Sequence, residues 1–486
     1  MAAAGVREHR NVSPGLDKTA GNWRAMQRSH HDLTQGGIVA QMVRMGIPML
    51  AGTFSMTAFN LADTWFVSQL GTLPLAAMGF TFPIAMVLGS VGMALGTGAT
   101  VVVSQALGEG RRQHARRIAT DCLLLTVVLL EGLGLLALGL MTPMLRAMNA
   151  THDVLPLTKA YLLLYLPLAG PAFLAMPMNS ILRAAGDTRW PSIIMIAASV
   201  LNCILDPLLI FGWGAIPALG IRGAAIATVI SRIVSMVLSG TVLHCRYGLV
   251  ARPHLRPREL AASWGHVLHI AAPALVSYLL YPTAMFLITG IVARFGSSAV
   301  AAFGAGGRIE MFAYLVPMAL GISLVPLVGQ NFGAGRFERV EGCRVWGERL
   351  ALAWGLVIAI TLLLLARPIA GLFSREHATR ECLVLYLRIM PFGYVMRETL
   401  RYLTITLNAI SKPMASLKLN ALFLAVFNVP FAFIGARLLG VAGVFAGIML
   451  GSNLAGITAL LYGRRYVTAE ELARSAGPPP QPSPST

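Results

Sequence analysis

A chain of 486 residues that is 56% hydrophobic, only 12% charged and of mean hydropathy +0.69 is not a soluble globular protein, which would carry about a quarter charged residues. The net charge of +18 does not indicate nucleic acid, because no Lys/Arg-rich stretch interleaves with aromatics and the basic residues fall in short segments between apolar runs. Five scattered cysteines without a Cys-x-x-Cys argue against zinc or disulfide chemistry.

Residues 1–35 are polar and mixed and read as disordered. They lack the basic, apolar, small-residue order of a cleaved signal peptide. Twelve apolar segments follow, starting near residues 38, 74, 118, 156, 190, 220, 266, 300, 348, 381, 415 and 440. The reading is an all-α integral membrane protein, with twelve transmembrane helices in two pseudo-symmetric six-helix lobes. The lobes span 36–246 and 266–467, joined by a basic linker at 247–265 that carries Pro253 and Pro257; the Pro/Ser-rich end, 468–486, reads as a disordered tail. An even helix count places both termini on one side. Arg24 and Arg28, the Arg111–Arg117 cluster, Arg246 to Arg258, and Arg336 to Arg344 all fall on that side, which is therefore expected to be cytoplasmic. Arg367, Arg375 and Arg380 run against the trend.

The two lobes repeat one another at a constant spacing of 225 positions. Pro48 matches Pro273, and Met93-Ala94-Leu95-Gly96 returns letter for letter as Met318-Ala319-Leu320-Gly321. Gln105, Gly108, Gly110 and Arg111 match Gln330, Gly333, Gly335 and Arg336, and Leu182 and Ala184 match Leu407 and Ala409. Six helices per lobe make the repeats parallel, with their axis along the membrane normal and the substrate path between them.

Two acids stand in membrane-length apolar runs: Asp63 in the first and Asp206 in the fifth. Such placement is expensive, so both read as functional rather than as structural hydrogen-bond partners. Asn202 and Asp206 are four apart and share a helix face, while Asn60 and Thr64 flank Asp63 at the same spacing. Pro207 has no N–H and leaves the Cys203 carbonyl free. These groups could serve Na⁺ or a hydronium, or form a protonation switch. Neutralising one carboxylate removes about 2.5–3.5 kcal/mol of burial cost, which biases a two-state helix about tenfold or more. The repeat does not copy the cluster: Asp63 corresponds to Ile288, Thr228 to Ile448, and the region of Asp206 to Phe427-Asn428-Val429-Pro430. The cluster is thus not needed to fold a lobe. Glu310 reads as locally paired beside Arg308 near a helix entrance, with a substrate or ion contact as the alternative, and Glu398 as either a substrate or ion contact or a partner of Arg397 or Arg401. Asn60, Met56, Phe59, Asn179 and Tyr281 are candidate substrate or ion contacts, on a Met- and aromatic-rich, adaptable surface.

The segment from Pro48 through Asp63-Thr64 to Gly71 resembles the first helix of the multidrug and toxic compound extrusion (MATE) family. So do Ser104-Gln105-Ala106-Leu107-Gly108-Glu109-Gly110, Leu182-Arg183-Ala184-Ala185-Gly186-Asp187-Thr188, and Asn202-Cys203-Ile204-Leu205-Asp206-Pro207 followed by Gly220-Ile221-Arg222-Gly223. The resemblance implies export of amphipathic or cationic organic compounds by alternating access, in exchange for H⁺ or Na⁺. It implies a cation site at Asp63, Asn202, Asp206 and Thr228. The glutamate that another branch of the family carries in its seventh helix is missing from 270–291, so the branch dominated by the first-lobe site fits better. Expected partners are a small-molecule substrate and membrane lipid, with no cofactor, no nucleic acid and no enzymatic activity. The expected state is a monomer in a bacterial inner membrane, with both termini cytoplasmic. A rival is a flippase for a lipid-linked sugar on a related scaffold, which would need a strongly basic cavity; helix interiors poor in Arg and Lys argue against it. Substrate identity and the choice between H⁺ and Na⁺ stay open.

Overall fold

The structure, a computed structural model, describes residues 32–214, 217–251 and 256–476. Arg24, Arg28, Arg252, Pro253 and the Pro/Ser-rich end beyond 476 lie outside the described residues. The first lobe comprises α1 (Ile38–Ser68), α2 (Thr72–Gly108), α3 (Arg112–Gly139), α4 (Val154–Ala184), α5 (Arg189–Ile210) and α6 (Ile221–Tyr247). The second comprises α7 (Pro257–Ala293), α8 (Ser297–Ala313 continuing as Leu315–Gly333), α9 (Phe337–Phe373), α10 (His377–Ile389 continuing as Pro391–Ala409), α11 (413–438) and α12 (441–466). Two six-helix lobes are therefore present, as the apolar periodicity and the repeat require.

Hydropathy places the membrane-embedded part of each helix but not its end. Segments read as beginning near 118, 266 and 348 begin at Arg112, Pro257 and Phe337. The extra turns are polar, and helical hydrogen bonding continues past the apolar boundary because water solvates their side chains. The linker expected at 247–265 is shortened accordingly.

Breaks within helices have local causes. In α4 a tight turn at Leu166–Leu168, with Pro167, frees the Gly170 N–H, which donates to Glu131 Oε2 of α3 at 2.9 Å. Glu131, an acid in an apolar run, is thereby accounted for as a structural acceptor. Gly220, ahead of α6, and Gly440, between α11 and α12, have φ +57° and +60°, a conformation that favours glycine. They sit at matching places in the two lobes.

The lobes meet through α1 and α2 on one side and α7 and α8 on the other. The contacts obey the repeat. Gln105 Nε2 donates to the Ala409 carbonyl at 2.7 Å, and its partner Gln330 donates to the Ala184 carbonyl at 2.8 Å. A Cβ on Gly108 would overlap the Gln330 backbone carbonyl, and one on Gly333 would overlap that of Gln105. Deeper in, Ser323 Oγ donates to the Met42 carbonyl at 3.3 Å, and its repeat partner Gly98 faces the Val267 carbonyl. These contacts form a latch between the lobes at the Gly108 and Gly333 ends of α2 and α8.

Both chain ends hold more structure than the sequence suggests. Leu33 and Thr34 are buried, with the Leu33 N–H donating to Gln330 Oε1 at 3.2 Å, so order begins inside the stretch read as disordered. Residues 469–476, read as part of a disordered tail, form α13 (Ala469–Ala476). Its Leu472 is fully buried, and the Ala469 N–H donates to Glu341 Oε2 at 2.9 Å. The cause is a single apolar anchor in a polar octapeptide, too small to register in hydropathy. Burying a leucine stabilises by about 1.5–3 kcal/mol. Leu472→Asp and truncation after 468 are therefore expected to lower the melting temperature similarly, checked by differential scanning fluorimetry; a tail that merely lay on the surface would leave it unchanged.

Candidate functional site

Packing of α1 against α5 brings Asp63 and Asp206 together. On α5 the face carrying Asn202 and Asp206 turns inward, 1% and 0% exposed, while Ile204 on the opposite face is 58% exposed. Thr228 of α6, 6% exposed, closes the group, and Tyr161 of α4 lies within reach of both Thr228 and Asp63. Arg232, one turn beyond Thr228, is close enough to act on Asp63 electrostatically, and its guanidinium stacks on Phe173 at 4.4 Å.

The polar atoms here are poorly satisfied. Among the described residues, twelve buried side-chain atoms make no hydrogen bond of good geometry, and seven belong to Asp63, Asn202, Asp206, Thr228 and Ser231. Each such atom costs about 1–3 kcal/mol. Their concentration at one place, with oxygen-rich chemistry suited to a hard cation or a proton, marks a binding site rather than a packing defect.

Asn202, Thr228 and Ser231 also line a cavity of about 720 Å³ between the lobes, within the range of small-molecule sites. Met49, Met56, Phe59, Met93 and Met318 give it a soft apolar wall, and Asn179, Tyr278 and Tyr281 join it. On α2 the cavity is lined by Met93, Thr97 and Thr100, on the side of Gln105 away from the Gly108 end, and it reaches Arg183 and Asn408 beside the latch carbonyls of Ala184 and Ala409. Its charge departs from the sequence reading. Helix interiors poor in Arg and Lys argued against a basic cavity, yet Arg183, Arg232, Arg397 and Arg401 all line it and no acid does. Few arginines suffice when three helices, α4, α6 and α10, aim them at one space.

The acids lie behind the arginines. Glu310 accepts from Arg397 at 3.2 Å and from the Tyr386 hydroxyl at 2.6 Å. Its expected partner, Arg308, is displaced because α10 packs beside α8 and delivers a better-placed guanidinium. Glu398 pairs with Arg401 at 2.6 Å rather than with its neighbour Arg397. Glu310 and Glu398 are therefore not cavity-lining. Asn60 does not join Asp63: it is exposed, and Thr64 spends its hydroxyl on the Asn60 carbonyl at 2.8 Å. Spacing of four from Thr64 was correct for a shared face, but that face points outward.

Arg232, Tyr161, Ser231 and Arg183 were not singled out from the sequence. Arg232 carried the same signal as Asp63, a charge in an apolar run, and it shares a helix face with Thr228. Tyr161 carried none.

The MatE family model matches residues 48–208 and 273–434, one stretch in each lobe. A FAD transporter of Shewanella oneidensis is 35% identical over 438 residues, covering 90% of this chain and 97% of that protein. A probable multidrug resistance protein NorM of Thermotoga maritima is 26% identical over 72% of this chain and 75% of its own. The crystal structure of the Vibrio cholerae MATE transporter VcmN in its bent form superposes with TM-score 0.84 at 32% identity, covering 90% of this chain and 98% of that one.

Proposed function

The chain belongs to the MATE family of membrane transporters, and from that premise we propose that it exports small organic anions with a flat aromatic portion, dinucleotides such as FAD among them, in exchange for H⁺ or Na⁺. The observation that carries the substrate class is the cavity lining: four arginines and no acid, beside methionines and aromatic rings. Such a surface favours phosphate oxygens and stacked rings and repels the organic cations that the family resemblance alone suggests. The relative named as a FAD transporter supports the same choice.

The coupling cation is assigned to the first lobe. Asp63 and Asp206 are two buried carboxylates side by side, and like charges at that separation are costly unless a cation joins them. A proton on either, or Na⁺ among Asp63, Asp206, Asn202 and Thr228, relieves that cost. The relief is felt by α1, whose contacts with α5 in one lobe and α8 in the other make it the element that reports the site's state to the interface. In this reading both termini are cytoplasmic, the membrane is the bacterial inner membrane, and the latch closes the cytoplasmic face of a monomer.

The test is transport in proteoliposomes, with FAD and riboflavin offered under separately imposed pH and Na⁺ gradients. FAD movement driven by one gradient, with riboflavin left behind, is the expected result. Movement of organic cations instead would sink the substrate reading. The basic cavity also suits the pyrophosphate of a lipid-linked sugar, so movement of such a lipid without FAD would favour the flippase reading.

A further inference from the structure

Arg397 stands at the boundary between cavity and lobe. One guanidinium nitrogen is 3.2 Å from Glu310 Oε2, the other donates to the Tyr281 hydroxyl at 2.9 Å, and the group stacks 4.7 Å from the Tyr314 ring centre. The guanidinium lines the cavity while Glu310, 7% exposed, does not. Glu310 is in turn held by the Tyr386 hydroxyl at 2.6 Å. The charged and titratable groups facing Glu310 are Tyr314 of α8 and Tyr386, Tyr394 and Arg397 of α10, and Arg397 in turn faces Tyr281 of α7, Tyr314 and Glu398. Against these, α12 presents the Phe445 ring and α9 packs Gly355 on Val395.

Tyr386 is the repeat partner of Tyr161, 225 positions away, which stands beside Asp63. The lobes thus set an acid against the same tyrosine position, although Asp63 comes from the first helix of its lobe and Glu310 from the second. In each case an arginine lies between the acid and the cavity. The second-lobe pair differs in one respect: its acid has a full set of partners within the lobe.

The geometry points to Arg397 as the residue that binds the anionic group of the substrate, and to Glu310 as an internal competitor that keeps this binding reversible. This inference rests on the anionic-substrate reading above. An unopposed arginine in a partly desolvated cavity would hold phosphate tightly and release it slowly. A carboxylate already bonded to that arginine lowers the net gain on binding, because the substrate must displace it. Tyr281 and Tyr314 fix the plane of the guanidinium, so exchange of partners needs only a small swing about a stacked pivot. Arg401, bonded to Glu398, is built alike one turn further on.

Binding of FAD, riboflavin and inorganic pyrophosphate is to be measured by calorimetry and flavin fluorescence on the full chain in nanodiscs. Wild type is expected to prefer FAD over riboflavin. Arg397→Gln weakens FAD and pyrophosphate roughly tenfold to a hundredfold, the range for a lost charge-assisted hydrogen bond, and spares riboflavin. Glu310→Gln does the opposite: it tightens FAD and pyrophosphate and, in proteoliposomes, slows turnover by slowing release. A purely structural salt bridge would not tighten binding when broken, so Glu310→Gln keeps the inference falsifiable even if Arg397→Gln misfolds. FAD binding untouched by either variant overturns the anchor and leaves the substrate class standing. Pyrophosphate binding that depends on Arg397, without FAD binding, keeps the anchor and removes the dinucleotide. Failure of wild type to bind either anion overturns both.

Discussion

Asp206→Asn is expected to abolish gradient-driven export while leaving a folded protein at wild-type level. Asn fills the same volume and offers one amide, so packing between α1 and α5 should survive. What is lost is the second charge that makes a cation profitable. With both carboxylates, H⁺ or Na⁺ removes about 2.5–3.5 kcal/mol of burial cost per neutralised group, which biases a two-state element about tenfold or more. With Asp206 neutral the repulsion between the two acids is gone, and the Arg232 charge already offsets Asp63, so the cation no longer distinguishes the two states. Thermal stability supplies the control. Both Asp206 carboxylate oxygens are buried without a well-formed hydrogen bond, so the variant should melt no lower than wild type, and higher if the acids repel in the resting protein. The measurement is FAD efflux from proteoliposomes under an imposed gradient, alongside a melting curve. Coupled export by Asp206→Asn would remove the first-lobe site from the mechanism; lost export with a collapsed melting temperature would assign Asp206 a structural role.

Asp206 also shows how far the sequence reaches. Its helix, its inward face and its companion Asn202 were all readable, because a charge in an apolar run and a spacing of four are local signals. Asp63 was readable for the same reason. That the two acids touch follows only from the packing of α1 on α5, 143 residues apart in sequence at their Met49–Ser192 contact. The repeat was equally legible, since 225-residue matches need no structure, and it correctly anticipated a duplicated scaffold with an unduplicated acid cluster. It did not anticipate that the second lobe builds its own cluster from other helices, with Glu310 and Arg397 87 residues apart. The charge of the cavity was misread for a related reason. Composition counts arginines along a chain, whereas a cavity collects them from α4, α6 and α10. The face of Asn60 was misjudged because periodicity says which residues share a stripe, not whether the stripe meets a neighbour or lipid.

Gly108→Ala and Gly333→Ala are expected to unlatch the lobes, and to do so equally. The argument starts from contact rather than mobility. A methyl group at either position would overlap the partner glutamine's backbone carbonyl, and backbone cannot rotate away as a side chain can. Either the helices separate or the glutamine–carbonyl bonds to Ala184 and Ala409 stretch. Overpacking of this kind costs about 1–3 kcal/mol, and it is charged only to the latched state. Each kcal/mol or two shifts a two-state population by about 5–30-fold, so the opposite conformation gains at that rate. Gln113 and Glu338 are exposed, flank the latch and are repeat partners, so spin labels there read its opening directly. Wild type should give a short distance, and each variant a second, longer population of similar size. Export should slow in both, because a transporter that rarely latches seldom presents substrate to the far side. Gln105→Leu, which removes one hydrogen bond worth about 0.5–1.5 kcal/mol without adding bulk, should shift the populations less. Unequal effects of the two glycine variants would mean that one lobe carries the gate and that the repeat, although visible in every contact of the latch, is not mechanically symmetric.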